Sequence, residues 1–249
     1  MMQERLILGG RECLVYAEDA ILGGSVQPSC LLVQTMGRHE RPSLEREVAL
    51  IADAAGSHPE ELAAGPWAMV FFEVFDWATD LTPWPDPKID RSPEVGHHAE
   101  ETLSFVTGTL LPALTARFGS VPVILGGYSL GGLFALWASM HTDRFAAVAA
   151  ASPSLWIRDW LPYAASHPVL ASAVYLSLGD REEHVRNTAI ARVGDCVRQQ
   201  YALLQKQLGE AACTLRWEPG GHFSDNDARL ARAFSWCLTH NRSALTLLY

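Results

Sequence analysis

Val121-Pro122-Val123-Ile124-Leu125-Gly126, then Gly127-Tyr128-Ser129-Leu130-Gly131, then the small apolar stretch from Gly132 to Met140, read in succession as a strand, a sharp turn and a helix. A Gly-x-Ser-x-Gly match in that context is a nucleophile elbow, in which the serine sits at a strained turn with its hydroxyl exposed above the sheet. The backbone approaches itself closely at such a turn, so glycine is the residue that fits on either side. The helix that follows presents its free N–H groups and positive dipole end to the serine, where an oxyanion would form during acyl transfer.

Outward from the elbow, the chain alternates between strands and helices. Arg5–Leu8 and Arg11–Tyr16 flank Gly9-Gly10, a two-residue hairpin signal, so the chain opens antiparallel. Leu31–Gln34 reads as a buried strand, followed by Thr35-Met36-Gly37 and a helix from about Ser43 to Ala55 with Gly56 as its stop. Trp67–Val74 is a further apolar strand. The Pro/Trp-rich segment at about 76–95, with Pro83, Pro85, Pro87, Pro93, Trp77 and Trp84, is expected to be a long structured loop. A helix is predicted from about His97 to Phe118, kinked or divided at Pro112. Strands at Phe145–Ala151, Ala173–Leu178 and Thr214–Trp217 follow. A long amphipathic helix with an inner stripe from Ile190 to Leu208 precedes the last of these, and a helix around Asp227–His240 follows it. Apolar strands separated by helices imply a mostly parallel sheet covered on both faces, and we expect one domain over 1–249.

The partners of an elbow serine come in the order serine, carboxylate, histidine, each on a loop at the carboxyl end of a strand. Val174-Tyr175-Leu176-Ser177-Leu178 runs into Gly179-Asp180-Arg181-Glu182-Glu183-His184, and Leu215-Arg216-Trp217 runs into Glu218-Pro219-Gly220-Gly221-His222-Phe223. His222 combines the glycine approach, the post-strand position and the right order, and is the candidate general base. His97 and His98 beside Glu100 and Glu101 lack metal-ligand spacing and read as a polar helix start. Of the carboxylates, Glu182 is favoured because in many hydrolases of this fold the acid stands three residues beyond the glycine that ends the strand. Asp180 is the runner-up. The remaining carboxylates are expected to be solvated or paired with Arg181 and Arg186.

Composition limits the partners. A net charge of −9 argues against nucleic acid or an anionic membrane surface. The segment Met1–Gly10 lacks the long apolar region of a secretory signal and no stretch approaches membrane-spanning length, so a cytoplasmic protein is expected. Cys13, Cys30, Cys196, Cys213 and Cys237 form no metal or disulfide pattern and are expected to be inert thiols. No metal and no cofactor are called for. The apolar tail Leu245-Thr246-Leu247-Leu248-Tyr249 can dock on its own core or on another subunit, which leaves the oligomeric state open.

Five strings together resemble one family: Asp80-Leu81-Thr82-Pro83, Gly126-Gly127-Tyr128-Ser129-Leu130-Gly131-Gly132, Ser152-Pro153-Ser154-Leu155-Trp156, Leu178-Gly179-Asp180-Arg181-Glu182-Glu183 and Gly220-Gly221-His222. They are similar to the putative-esterase branch of the α/β-hydrolase superfamily, which includes siderophore esterases, esterase D-like enzymes and feruloyl esterase modules. The Ser-Pro-Ser-Leu-Trp string looks most like the siderophore-esterase members. The resemblance implies an α/β-hydrolase fold and a cofactor-free serine esterase acting on a small-molecule ester. It implies a Ser129 nucleophile, a His222 base and a carboxylate from the Gly179 loop. It also implies an oxyanion hole from the backbone N–H of Leu130 and from one near Met36 or Gly37. Relatives often carry Asp-Gly or His-Gly where this chain has Thr35-Met36-Gly37. Trp156, Tyr128 and Trp77 are the candidate substrate-binding residues. Acyl transfer to an alcohol and a non-catalytic binding role are the alternative functions.

Overall fold

The computed structural model describes residues 1–57, 65–89 and 97–240. Pro93 and the apolar tail from Leu245 to Tyr249 lie outside the described residues, as does the end of the Pro/Trp-rich loop. Among the described residues eight strands form one sheet: β1 (Met2–Leu8), β2 (Arg11–Ala17), β3 (Cys30–Met36), β4 (Trp67–Glu73), β5 (Val123–Tyr128), β6 (Ala147–Ala151), β7 (Ala173–Gly179) and β8 (Cys213–Glu218). Their order is β1-β2-β4-β3-β5-β6-β7-β8. The β1/β2 and β2/β4 pairs are antiparallel and every later pair is parallel, so the sheet is mostly parallel with an antiparallel amino-terminal hairpin.

Successive strand residues face opposite sides, and each side has its own core. Val148 and Ala150 of β6 join the core beneath helices Leu111–Phe118, Leu130–His141 and Val193–Leu208, whereas Ala147, Ala149 and Ala151 join the core beneath Leu44–Ser57 and Asn226–His240. The small residues of β6 let helices lie close on both faces. Helix Leu130–His141 is buried from Leu130 through Met140, which explains why its sequence shows no polar face.

Two helix expectations are corrected and a third is met. Helix Leu44–Ser57 runs through Gly56 rather than stopping before it; a glycine costs a helix interior about 1 kcal/mol, which neighbouring turns can carry. The helix expected over His97–Phe118 is divided next to Pro112 as expected, into Ala99–Phe105, a wide π turn Val106–Leu110 and Leu111–Phe118. Pro112 has no N–H to return to the preceding turn, and the widened turn absorbs the missing bond. The stripe expected from Ile190 to Leu208 is also broken, because Thr188–Ala191 and Val193–Leu208 are separate helices.

Candidate active site

Ser129 stands between β5 and helix Leu130–His141 with φ 56° and ψ −116°, a conformation that costs an L-residue about 1–3 kcal/mol and persists only where its surroundings enforce it. Here they do. The Ser129 N–H donates to the Ala151 carbonyl at 3.1 Å, and the Ser129 carbonyl accepts from Leu133 at 3.0 Å and Ser154 at 3.1 Å. A Cβ at Gly127 would lie 2.5 Å from the Gly131 carbonyl carbon, so a glycine is required where the turn crosses its own helix.

A continuous chain of hydrogen bonds leads from this serine. Ser129 Oγ is 2.9 Å from His222 Nε2, and His222 Nδ1 is 2.6 Å from Glu182 Oε2. The histidine comes from the loop after β8 and the carboxylate from the short 3-10 turn Glu182–His184 after β7. Burial opposes ionisation of Glu182, yet the hydrogen bond and charge of His222, the Gly179 N–H and the Ser152 hydroxyl outweigh it and hold its pKa below the usual value.

The structure distinguishes the three candidate carboxylates of this loop. Asp180 does not meet His222: its Oδ1 accepts the Gly220 N–H at 2.8 Å and so ties down the histidine loop. Glu183 pairs with Arg198 on the helix behind it, at 2.7 Å, in place of the expected Arg181 or Arg186. The two serines of the Ser-Pro-Ser string have separate partners. Ser152 Oγ donates to Glu182 Oε1 at 2.8 Å, and Ser154 Oγ is 3.1 Å from Ser129 Oγ.

One residue of this site was not anticipated. Arg229 of helix Asn226–His240 is fully buried, and its Nη1 donates to Glu182 Oε1, Ser152 Oγ and the Tyr128 hydroxyl at 2.9, 3.0 and 3.0 Å. Its Nη2 donates to the Pro219 and Gly221 carbonyls, each at 3.0 Å. The sequence signal was there: Arg229 occupies a position in register with Leu230, Ala233, Phe234 and Cys237, the buried stripe of its helix, and an arginine there must have partners inside. Tyr128 belongs to the same network. Burial pushes its hydroxyl up to about 12, and as a phenol it donates to the His222 carbonyl at 2.7 Å.

The expected oxyanion donors are the backbone N–H groups of Leu130 and of Met36 or Gly37. Leu130 opens its helix, so its N–H has no partner within that helix. Met36 closes β3, and its carbonyl accepts from Val74. The Gly37 N–H donates to Glu40 Oε2 at 2.9 Å. A Cβ at Gly37 would lie 2.7 Å from the His39 ring and 2.8 Å from the Trp77 ring, so a side chain there requires both rings to shift.

A cleft of about 410 Å³ opens over Ser129 and His222, bordered by Trp77, Trp156, Tyr128, Glu40 and Glu47 among others. A second lobe of about 240 Å³ shares Ser129, His222, Trp156 and Phe223 and is walled by Pro153, Val185, Ile190 and Val193. Ile190 therefore borders the cleft. Trp84 does not: its indole N–H donates to the Arg158 carbonyl at 2.7 Å and its ring packs on Trp160 and Tyr163, pinning the Pro/Trp-rich loop. Phe223, directly after His222, is 90% exposed at the cleft mouth.

The family model described as "Putative esterase" matches residues 50–222. Similar solved structures include siderophore hydrolase EstB from Aspergillus nidulans, 20% identical, with 94% of this chain and 93% of that chain covered and a TM-score of 0.71. The IroE-like serine hydrolase from Shewanella oneidensis is 15% identical, with 95% and 79% covered and a TM-score of 0.73. The enterobactin esterase FES from Shigella flexneri is 18% identical, with 94% and 58% covered and a TM-score of 0.60. No curated protein matches the chain. At such identities the solved structures establish a shared fold, and the family match spans well over half of the sequence. The chain belongs to the putative esterase family, and it is a carboxylic ester hydrolase on the α/β-hydrolase fold.

Proposed function

We propose that Ser129, His222 and Glu182 are the nucleophile, general base and orienting acid of this esterase. The observation that carries the reading is the unbroken chain from Ser129 Oγ through both ring nitrogens of His222 to Glu182 Oε2. His222 Nε2 takes the hydroxyl proton as Ser129 Oγ attacks the ester carbonyl, while Glu182 fixes the tautomer and stabilises the imidazolium. The oxyanion accepts from the Leu130 N–H and, on this reading, from the Gly37 N–H after Glu40 gives it up. Burial pushes the Glu40 carboxyl up to about 8, against the Gly37 N–H that lowers it, so near neutral pH it is largely uncharged. A developing oxyanion is a stronger acceptor than a neutral carboxyl, which favours the exchange. His222 then protonates the departing alcohol, and water repeats the sequence to release the acid and regenerate Ser129.

Trp156 and Trp77 act as walls of the ester site, and Tyr128 serves it mainly through His222. The names of two similar structures, a siderophore hydrolase and an enterobactin esterase, make siderophore esters the first substrates to try. We place the enzyme in the cytoplasm as one domain without a nucleic-acid partner, a reading supported by buried thiols at all five cysteines and by the net charge of −9. Among the described residues no helix is long and apolar enough to cross a membrane. The test of the assignment is turnover of a panel of short-chain and siderophore esters by purified wild type, Ser129→Ala and His222→Ala. Turnover by the wild type alone is expected; turnover by Ser129→Ala contradicts the assignment.

A further inference from the structure

The two oxygens of Glu182 are treated differently. Oε2 faces only His222 among the bonds that the carboxylate makes, whereas Oε1 accepts from Gly179 N–H at 2.7 Å, Ser152 Oγ at 2.8 Å and Arg229 Nη1 at 2.9 Å. The three bonds at Oε1 restrain rotation of the carboxylate and aim Oε2 at the imidazole. The guanidinium that supplies one of those points also reaches the histidine from behind. Its Nη2 holds the carbonyls of Pro219 and Gly221, and the Tyr128 hydroxyl that accepts from Nη1 donates to the carbonyl of His222 itself.

We infer that Arg229 is the positioning residue of this active site, a buried fork that sets the His222 loop and Glu182 in register with Ser129. This inference rests on the assignment of Ser129, His222 and Glu182 above. Arg229 touches neither substrate nor reacting atoms; its effect passes through the two residues it holds. The planar, five-donor geometry of a guanidinium suits the task, because one group spans the carboxyl ends of β5, β6, β7 and β8 and stays charged beside Glu182. A lysine ammonium keeps the charge but is a point donor without the fork.

The experiment compares wild type, Arg229→Gln and Arg229→Lys, with Ser129→Ala as the reference for lost chemistry. Each is checked for folding by circular dichroism and thermal melting, then assayed for kcat and KM on one ester and for the low-field proton resonance of the His222–Glu182 hydrogen bond. In Arg229→Gln, kcat is expected to fall on the order of 100-fold, as a displacement of about 1 Å costs, with KM within a factor of three and the resonance lost. Arg229→Lys should recover part of kcat and the resonance. A folded Arg229→Gln with wild-type kcat and resonance overturns the inference, as does a loss that appears in KM alone. Should Arg229→Gln fail to fold, Arg229→Lys decides: kcat reduced about tenfold at unchanged KM supports the fork, and wild-type kcat overturns it. Activity surviving in Ser129→Ala would instead reject the underlying assignment, a result distinct from any outcome at Arg229.

Discussion

The turn that carries Ser129 and the loop that carries His222 meet within one hydrogen bond, yet they are built in opposite ways. The serine turn is made by the backbone: β5 delivers it, Gly127 lets the chain cross over Gly131, and the Ala151 and Ser154 backbone locks it. The histidine loop is held from a distance. Gly220, at φ 97°, lets it bend, and its place is set by Asp180, Tyr128 and Arg229, side chains 40, 94 and 10 or fewer residues away. Geometry enforced by backbone sterics is intolerant of added atoms; geometry enforced by side-chain hydrogen bonds is intolerant of lost ones.

The largest expected effect lies where both halves meet. Ser129→Ala should lower kcat by about a million-fold, read in ester turnover on folded protein. Glu182→Gln keeps the shape of the acid but removes its charge, and kcat should drop by about 10⁴, as when a triad acid becomes its amide. A drop of less than tenfold would mean that the histidine loop is oriented without Glu182.

Stability separates the two constructions more directly. Gly127→Ala forces a Cβ against the Gly131 backbone and should destabilise by about 3 kcal/mol or more, whereas Gly221→Ala, with no atom within 4 Å of the new Cβ, should cost less than about 1 kcal/mol. Equal shifts in melting temperature would erase the distinction. A smaller effect concerns Glu40 at the Gly37 amide. Its pKa stands at about 8 in the fold against an ordinary 4.5, so between those values the folded chain binds more protons than the unfolded one and stability falls as pH rises. Glu40→Gln should flatten that fall in pH-dependent melting; an unchanged slope would place its origin elsewhere. Glu182 has the opposite sign: its depressed pKa gives stability that is present above the ordinary carboxylate range and lost as pH falls through the lowered value.

The same contrast explains what the sequence disclosed. The elbow was legible because its determinants are contiguous, and the sheet because apolar runs alternate with helices. The meeting of Ser129 and His222 with a carboxylate of the Gly179 loop was legible from chain order and from loops at strand ends, whereas the preference for Glu182 over Asp180 rested on the acid's place in other hydrolases of this fold. Arg229, Ser152 and Ser154 were not assigned their places because their partners are fixed only when four strand ends converge. Trp77 and Trp84 share one Pro/Trp-rich loop of the sequence, and only the packing of Trp84 against Trp160 and Tyr163 separates them. Glu40 escaped notice for another reason: its partner is a backbone N–H, which carries no signature in the sequence.

The most direct test of the central claim is the intact mass of the protein after incubation with a fluorophosphonate, with Ser129→Ala and His222→Ala alongside. The account predicts a single adduct on the wild type that disappears in both variants. An adduct that persists in Ser129→Ala, or folded wild type that takes up none, would contradict it.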